Sequence, residues 1–143
     1  MKTLLVFLNS GLFFVIAAIH IYWAMGGKWA SQAVIPVNPA KSDTVEKAVF
    51  RPSVVATLIV ASGLMAFSFI LFNVLLQKTQ LVDYQEVMLN VIAGIFLVRT
   101  VGDYKYVGFF KKIRNTRFAI NDTKLFSPLC LWLSTSTIYI NYH

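Results

Sequence analysis

The sequence predicts an all-α, membrane-spanning four-helix bundle with antiparallel up-down neighbours, and three observations carry that expectation. The chain is 57% hydrophobic and only 13% charged, with a mean hydropathy of +0.67, outside the range of an ordinary soluble domain. Four apolar stretches, at about 4–25, 53–76, 81–101 and 125–142, each approach the ~20 residues that take a helix across a bilayer. Lysine and arginine are concentrated in alternate connections between those stretches. No repeat or low-complexity tract divides the 143 residues, so a single membrane domain is expected.

Lys2 before the first apolar run invites a signal-peptide reading. The run exceeds the ~7–15 residues of a signal h-region and ends in no clear Ala-x-Ala site, so it is read as a retained helix. Asn9, Phe13, Ile16 and His20 fall on one of its stripes. The first loop contains Gly26, Gly27, Pro36, Pro39 and Pro52, which argue against a long helix there. A short surface helix over 42–50 is the exception, with Ser42 or Asp43 as its cap.

In the second helix Ser62 and Asn73 share a stripe, and the tight connection at 77–80 makes the second and third helices antiparallel neighbours. The third is interrupted early by Asp83, Glu86 and Asn90, and its polar stripe reads Glu86, Asn90, Gly94. These stripes are expected to face the bundle interior, where each hydrogen bond contributes about 1 kcal/mol or less. The fourth helix has a length problem. If Pro128 takes its first position, only ~22 Å of helix remain to Tyr142 against a ~30 Å hydrocarbon core. An earlier start at Asp122 restores the length but puts Pro128 inside the helix, which it should bend. A short or bent helix is expected, with Asn121-Asp122-Thr123 as its cap.

Orientation follows from short-loop cations. Lys28, Lys41, Lys47 and Arg51 lie in the first loop, and Lys105, Lys111, Lys112, Arg114, Arg117 and Lys124 in the third, against Lys2 and Lys78 on the opposite side. Loops one and three are therefore expected in the cytoplasm and both termini outside, in the inner (plasma) membrane. The pI near 9.7 follows from this topology, so nucleic acid is not an expected partner. The lone Cys130 allows neither an intramolecular disulfide nor a cysteine-based zinc site. Of the two histidines, the topology sends His20 to the inner face and His143 to the outer, too far apart to ligate one haem. No cofactor or metal is expected.

The same topology gathers His20, Arg51, Arg99, Asp103, Tyr104 and Tyr106 at the inner end, with Arg99 and Asp103 at i, i+4 expected to pair. Beside them lies a basic loop with Lys111, Lys112, Arg114 and Arg117. Intramembrane charge is normally paired or functional, so two classes of function follow. The first is a non-enzymatic accessory, immunity-like or lipid- or ligand-binding bundle, favoured because no nucleophile–base pair is present. The second is a membrane enzyme or carrier using a cytoplasm-facing His/Arg/Asp site with His20 as its titrating group. Four-helix drug exporters usually carry an acid in the first helix, and none lies between Met1 and Lys41 here. Expected partners are the bilayer, an anionic lipid or small ligand at the inner end, a second copy, or another membrane protein.

The segments His20-Ile-Tyr-Trp23, Gly26-Gly27-Lys-Trp29, Phe50-Arg51-Pro52, Arg99-Thr-Val-Gly102-Asp103-Tyr-Lys-Tyr-Val-Gly108-Phe109-Phe110-Lys111, Phe118-Ala-Ile-Asn-Asp122-Thr123 and Ser127-Pro128-Leu129 resemble a family of small bacterial four-helix membrane proteins known as a domain of unknown function. The likeness covers nearly the whole chain. It implies the bundle and a bacterial inner membrane, and it implies no activity.

Overall fold

The computed structural model describes residues 1–37, 52–76 and 82–143, so the expected surface helix at 42–50, the tight connection at 77–80 and Arg51 lie outside the described residues. The described chain is all-helical. Its principal helices are α1 (Lys2–Ala24), α3 (Val54–Leu76), α4 (Val82–Val101) and α6 (Ser127–Tyr142), with two short helices, α2 (Ser31–Val34) and α5 (Arg117–Asn121), between them. Among the described residues, three helical stretches are long and apolar enough to cross a membrane: Lys2–Ala24, Val54–Leu76 and Tyr84–Val101. The chain is thus compatible with a membrane protein, and large apolar side chains such as Phe7, Val15, Ile59, Phe69, Val91 and Val98 stand exposed around the bundle, as helices facing lipid require.

Two tightly packed pairs, α1 with α3 and α4 with α6, make up the bundle, and they meet through α1–α6 and α3–α4. Antiparallel register in the first pair is visible in Phe7 against Phe72, with ring centroids 6.0 Å apart, and in Ser68 Oγ donating to the Ser10 carbonyl at 2.9 Å. In the second pair, Ser134 Oγ donates to the Ala93 carbonyl (2.8 Å), while Asn141 and Tyr142 reach Asn90 at the far end. Phe13, Phe67 and Phe96 join α1, α3 and α4 in one aromatic cluster. Lipid tails are as apolar as these rings, so close packing and interhelical hydrogen bonds hold the pairs rather than escape from water. Asn9 Nδ2, donating at 2.8 Å to Ser136 Oγ, supplies one such bond between α1 and α6 in the buried centre.

The stripe of α1 faces inward as expected, with Asn9 and Phe13 fully buried. The stripe of α3 follows in part, with Asn73 buried and Ser62 exposed, and that of α4 does not: Glu86, Asn90 and Gly94 are exposed, and the buried face of α4 is Leu89, Ile92, Ala93 and Thr100. In a helix apolar almost all round, polar spacing cannot select the packed face. Glu86 and Asn90 sit where α4 begins, and the side chain of Asn141 from α6 hydrogen-bonds the Glu86 carbonyl and Asn90 Oδ1.

α1 ends in a Schellman closure, with Gly26 at φ 92° and the Gly27 N–H donating to the Tyr22 carbonyl. Of the two alternatives expected for the fourth helix, the structure takes the longer one, with Pro128 inside it. Helical structure runs unbroken from Arg117 to Tyr142, and Pro128 lies within it. The turn before the proline widens into a π turn, Asp122–Phe126, where the Ser127 N–H donates to the Asp122 carbonyl five residues back. A proline interrupts the i to i−4 ladder, and a π turn absorbs that interruption without ending the helix. The run of about 39 Å exceeds the ~30 Å core. Asn121-Asp122-Thr123 is therefore no cap; Thr116 caps α5, its hydroxyl accepting from the Ala119 N–H.

Candidate functional site: a buried ion-pair cluster under the third loop

The first and third connections share one end of the bundle, where α2 packs on α5. The loop between α4 and α5 is a compact knot. Gly102 (φ 78°) and Gly108 (φ 88°) cross so closely that a Cβ on either would overlap the other's Cα and a neighbouring carbonyl, Val107 for Gly102 and Val101 for Gly108. Across the crossing, the Phe109 N–H donates to the Thr100 carbonyl and the Asp103 N–H to that of Val107.

Arg99 does not pair with Asp103. Its Nη2 lies 2.9 Å from Asp122 Oδ1, while Asp122 Oδ2 accepts from Lys111 Nζ (2.8 Å) and from the Gly108 N–H (2.8 Å). Lys111 Nζ also donates to the Gly108 carbonyl (3.0 Å) and Thr123 Oγ1 (2.7 Å), so all three of its N–H groups are used. Asp122 is fully buried and Lys111 is 1% exposed. The reason is steric as well as electrostatic: Asp103 sits past the helix end, where Gly102 turns the chain away, whereas the π turn holds Asp122 against the last turn of α4.

Asp103 does something else. Its Oδ1 accepts from the N–H groups of Lys105 (3.0 Å), Tyr106 (2.7 Å) and Val107 (2.9 Å). Slight burial pushes the carboxyl up, but the N–H bonds outweigh it and hold the group below its ordinary value of 3.8. Because the folded value is the lower one, the support Asp103 lends the loop is complete above pH 3.8 and is lost as the pH falls through that lowered value. An NMR titration should show the amides of Lys105, Tyr106 and Val107 shifting together in that acid window, and Asp103→Ala should leave them unprotected at neutral pH.

The other expected members are placed separately. His20 Nδ1 donates to the Ile16 carbonyl of its own helix (2.8 Å), and its ring meets Trp23 edge-on. Tyr104 is exposed and Tyr106 half-buried in the loop, while Arg51 lies outside the described residues. Of the basic loop, Lys112, Arg114 and Arg117 are exposed, whereas Lys111 is the buried partner of Asp122. Asp122 and Thr123 are the residues sequence reasoning missed. The available signal was an isolated acid just before the last apolar stretch, with Arg99 at the end of the preceding stretch and Lys111 in the loop between them. Among the described residues, no three of His, Cys, Asp and Glu come together as a metal site.

A family model described as a protein of unknown function (DUF3995) matches residues 13–137. No curated protein and no solved structure matches the chain.

Proposed function

We propose that this chain, which belongs to the DUF3995 family, is a non-enzymatic multi-pass protein of the bacterial inner membrane, an accessory or ligand-binding bundle whose first and third loops face the cytoplasm. The observation that carries this reading is the internal use of the candidate site's charge. Asp122 commits both oxygens to Arg99, Lys111 and Gly108, Asp103 is spent on its own loop, and His20 is turned to its own helix. Among the described residues, the His/Arg/Asp set expected of an enzyme or carrier is not assembled around a common space. In this reading the cluster braces the end of the bundle, and all four principal helices cross the bilayer. Sorting of cations to one end supports the orientation.

Two measurements test it. Lys112→Cys should react with a membrane-impermeant maleimide only after the cells are opened; labelling from outside intact cells would overturn the orientation. In a strain lacking the protein, His20→Gln and wild type should restore the phenotype equally, and loss of function at unchanged protein level would restore the catalytic reading.

A further inference from the structure

The outer surface of the third loop is built from groups the buried cluster does not use. Lys105, Lys112, Arg114 and Arg117 are exposed, and the loop's one acid, Asp103, turns its Oδ1 to three backbone N–H groups of the loop. Between these cations Tyr104 and Phe110 stand 65% and 61% exposed, their ring centroids 6.3 Å apart. This presentation is not the residue of a slack loop. Tyr104 is held at φ 60°, a left-handed conformation unfavourable for a side chain of its size. The Lys112 N–H bonds its carbonyl at 2.9 Å and the Ile113 N–H that of Lys105 at 3.1 Å. Gly108 and Lys111 tie the same loop to buried Asp122. A strained, exposed aromatic kept in place by so many bonds is rigidly presented to something.

The loop's position says what. It begins directly after Val101, the last residue of a helix apolar enough to cross a membrane, and on the membrane reading above a loop that starts there meets the boundary between hydrocarbon and headgroups. Aromatic side chains settle at that boundary, and cations beside it are attracted to anionic lipid. We infer that the loop over 102–116, with Arg117 at the start of α5, is a docking surface for an anionic phospholipid leaflet. Tyr104 and Phe110 enter the headgroup–acyl boundary, and Lys105, Lys112, Arg114 and Arg117 meet the lipid phosphates. The inference rests on the membrane reading above and deepens it by naming the lipid class and the residues that recognise it.

The test uses the full chain carrying Phe110→Trp, reconstituted in vesicles of phosphatidylglycerol and phosphatidylcholine, or of phosphatidylcholine alone, each with and without lipid brominated high on the acyl chain. Subtracting the wild-type signal removes the three native tryptophans. In anionic vesicles the new indole should be quenched by bromolipid and shielded from acrylamide in the water. Adding Lys112→Gln, Arg114→Gln and Arg117→Gln should lower the ratio of docked to undocked loop by roughly a hundredfold at low salt, at about 1 kcal/mol per cation. Free access of acrylamide, with no bromolipid quenching, in a chain that has inserted into the vesicles would overturn the inference. So would equal quenching in vesicles of phosphatidylcholine alone, which means burial without charge recognition, or shielding seen only in native membranes, which means an acidic protein partner. A chain that does not enter vesicles at all would instead overturn the membrane reading.

Discussion

Asp122→Asn is expected to destabilise the purified chain by about 3–5 kcal/mol, a fall of roughly 10–15 °C in its melting temperature in detergent. The substitution keeps the size of the side chain and removes the charge. It leaves the Lys111 ammonium, 1% exposed, without its anion and weakens the Gly108 anchor of the loop. Arg99 suffers less, because a third of its side chain reaches the surface (34%). The double variant Asp122→Asn with Lys111→Met should recover most of the loss, since it removes the stranded charge and fills its volume with an apolar chain. A melting temperature near wild type for Asp122→Asn alone would mean that the cluster does not brace this end of the bundle.

Gly102→Ala is the second large effect, with an expected cost of about 3 kcal/mol or more. A left-handed alanine costs ~1–2 kcal/mol, and here the new Cβ also meets the Val107 carbonyl and the Gly108 Cα, backbone atoms that cannot rotate aside. Gly108→Ala, at φ 88° against the Val101 carbonyl, should behave alike. Both should open the loop to trypsin at Lys105 and Lys112. Gly63→Ala is the control: its Cβ would meet nothing within 4 Å, and a helix interior gains roughly 0.5–1 kcal/mol from the exchange. If Gly102→Ala melts and resists trypsin as Gly63→Ala does, the glycine crossing is not what shapes the loop.

The positions of the four principal helices are legible in composition to within about two residues, because a helix long and apolar enough to cross a bilayer needs ~20 consecutive, mostly apolar residues. Asn9 and Phe13 were also legible as an inward face, since few polar groups interrupt α1. The inward face of α4 was not: Glu86, Asn90 and Gly94 share a stripe and point outward. In lipid an apolar residue is content on either side, so hydropathy period carries little information about packing.

The candidate site shows the same division. That Arg99 needs a partner follows from the sequence alone, because a cation at the end of an apolar helix is costly by itself. Local spacing pointed to Asp103 at i+4. The partner is Asp122, brought across by the antiparallel packing of α4 and α6 and by a π turn that lets the last helix pass Pro128. Charge, hydropathy and helix length are properties of single segments, so the sequence by itself determined the four long helices and the clustering of cations between them, while the helical stretch over 117–126, which takes Arg117 and Lys124 out of the third loop, was not legible. The choice between two carboxylates, the burial of Lys111 and the outward set of Tyr104 and Phe110 depend on how segments cross, and only the tertiary structure decided them.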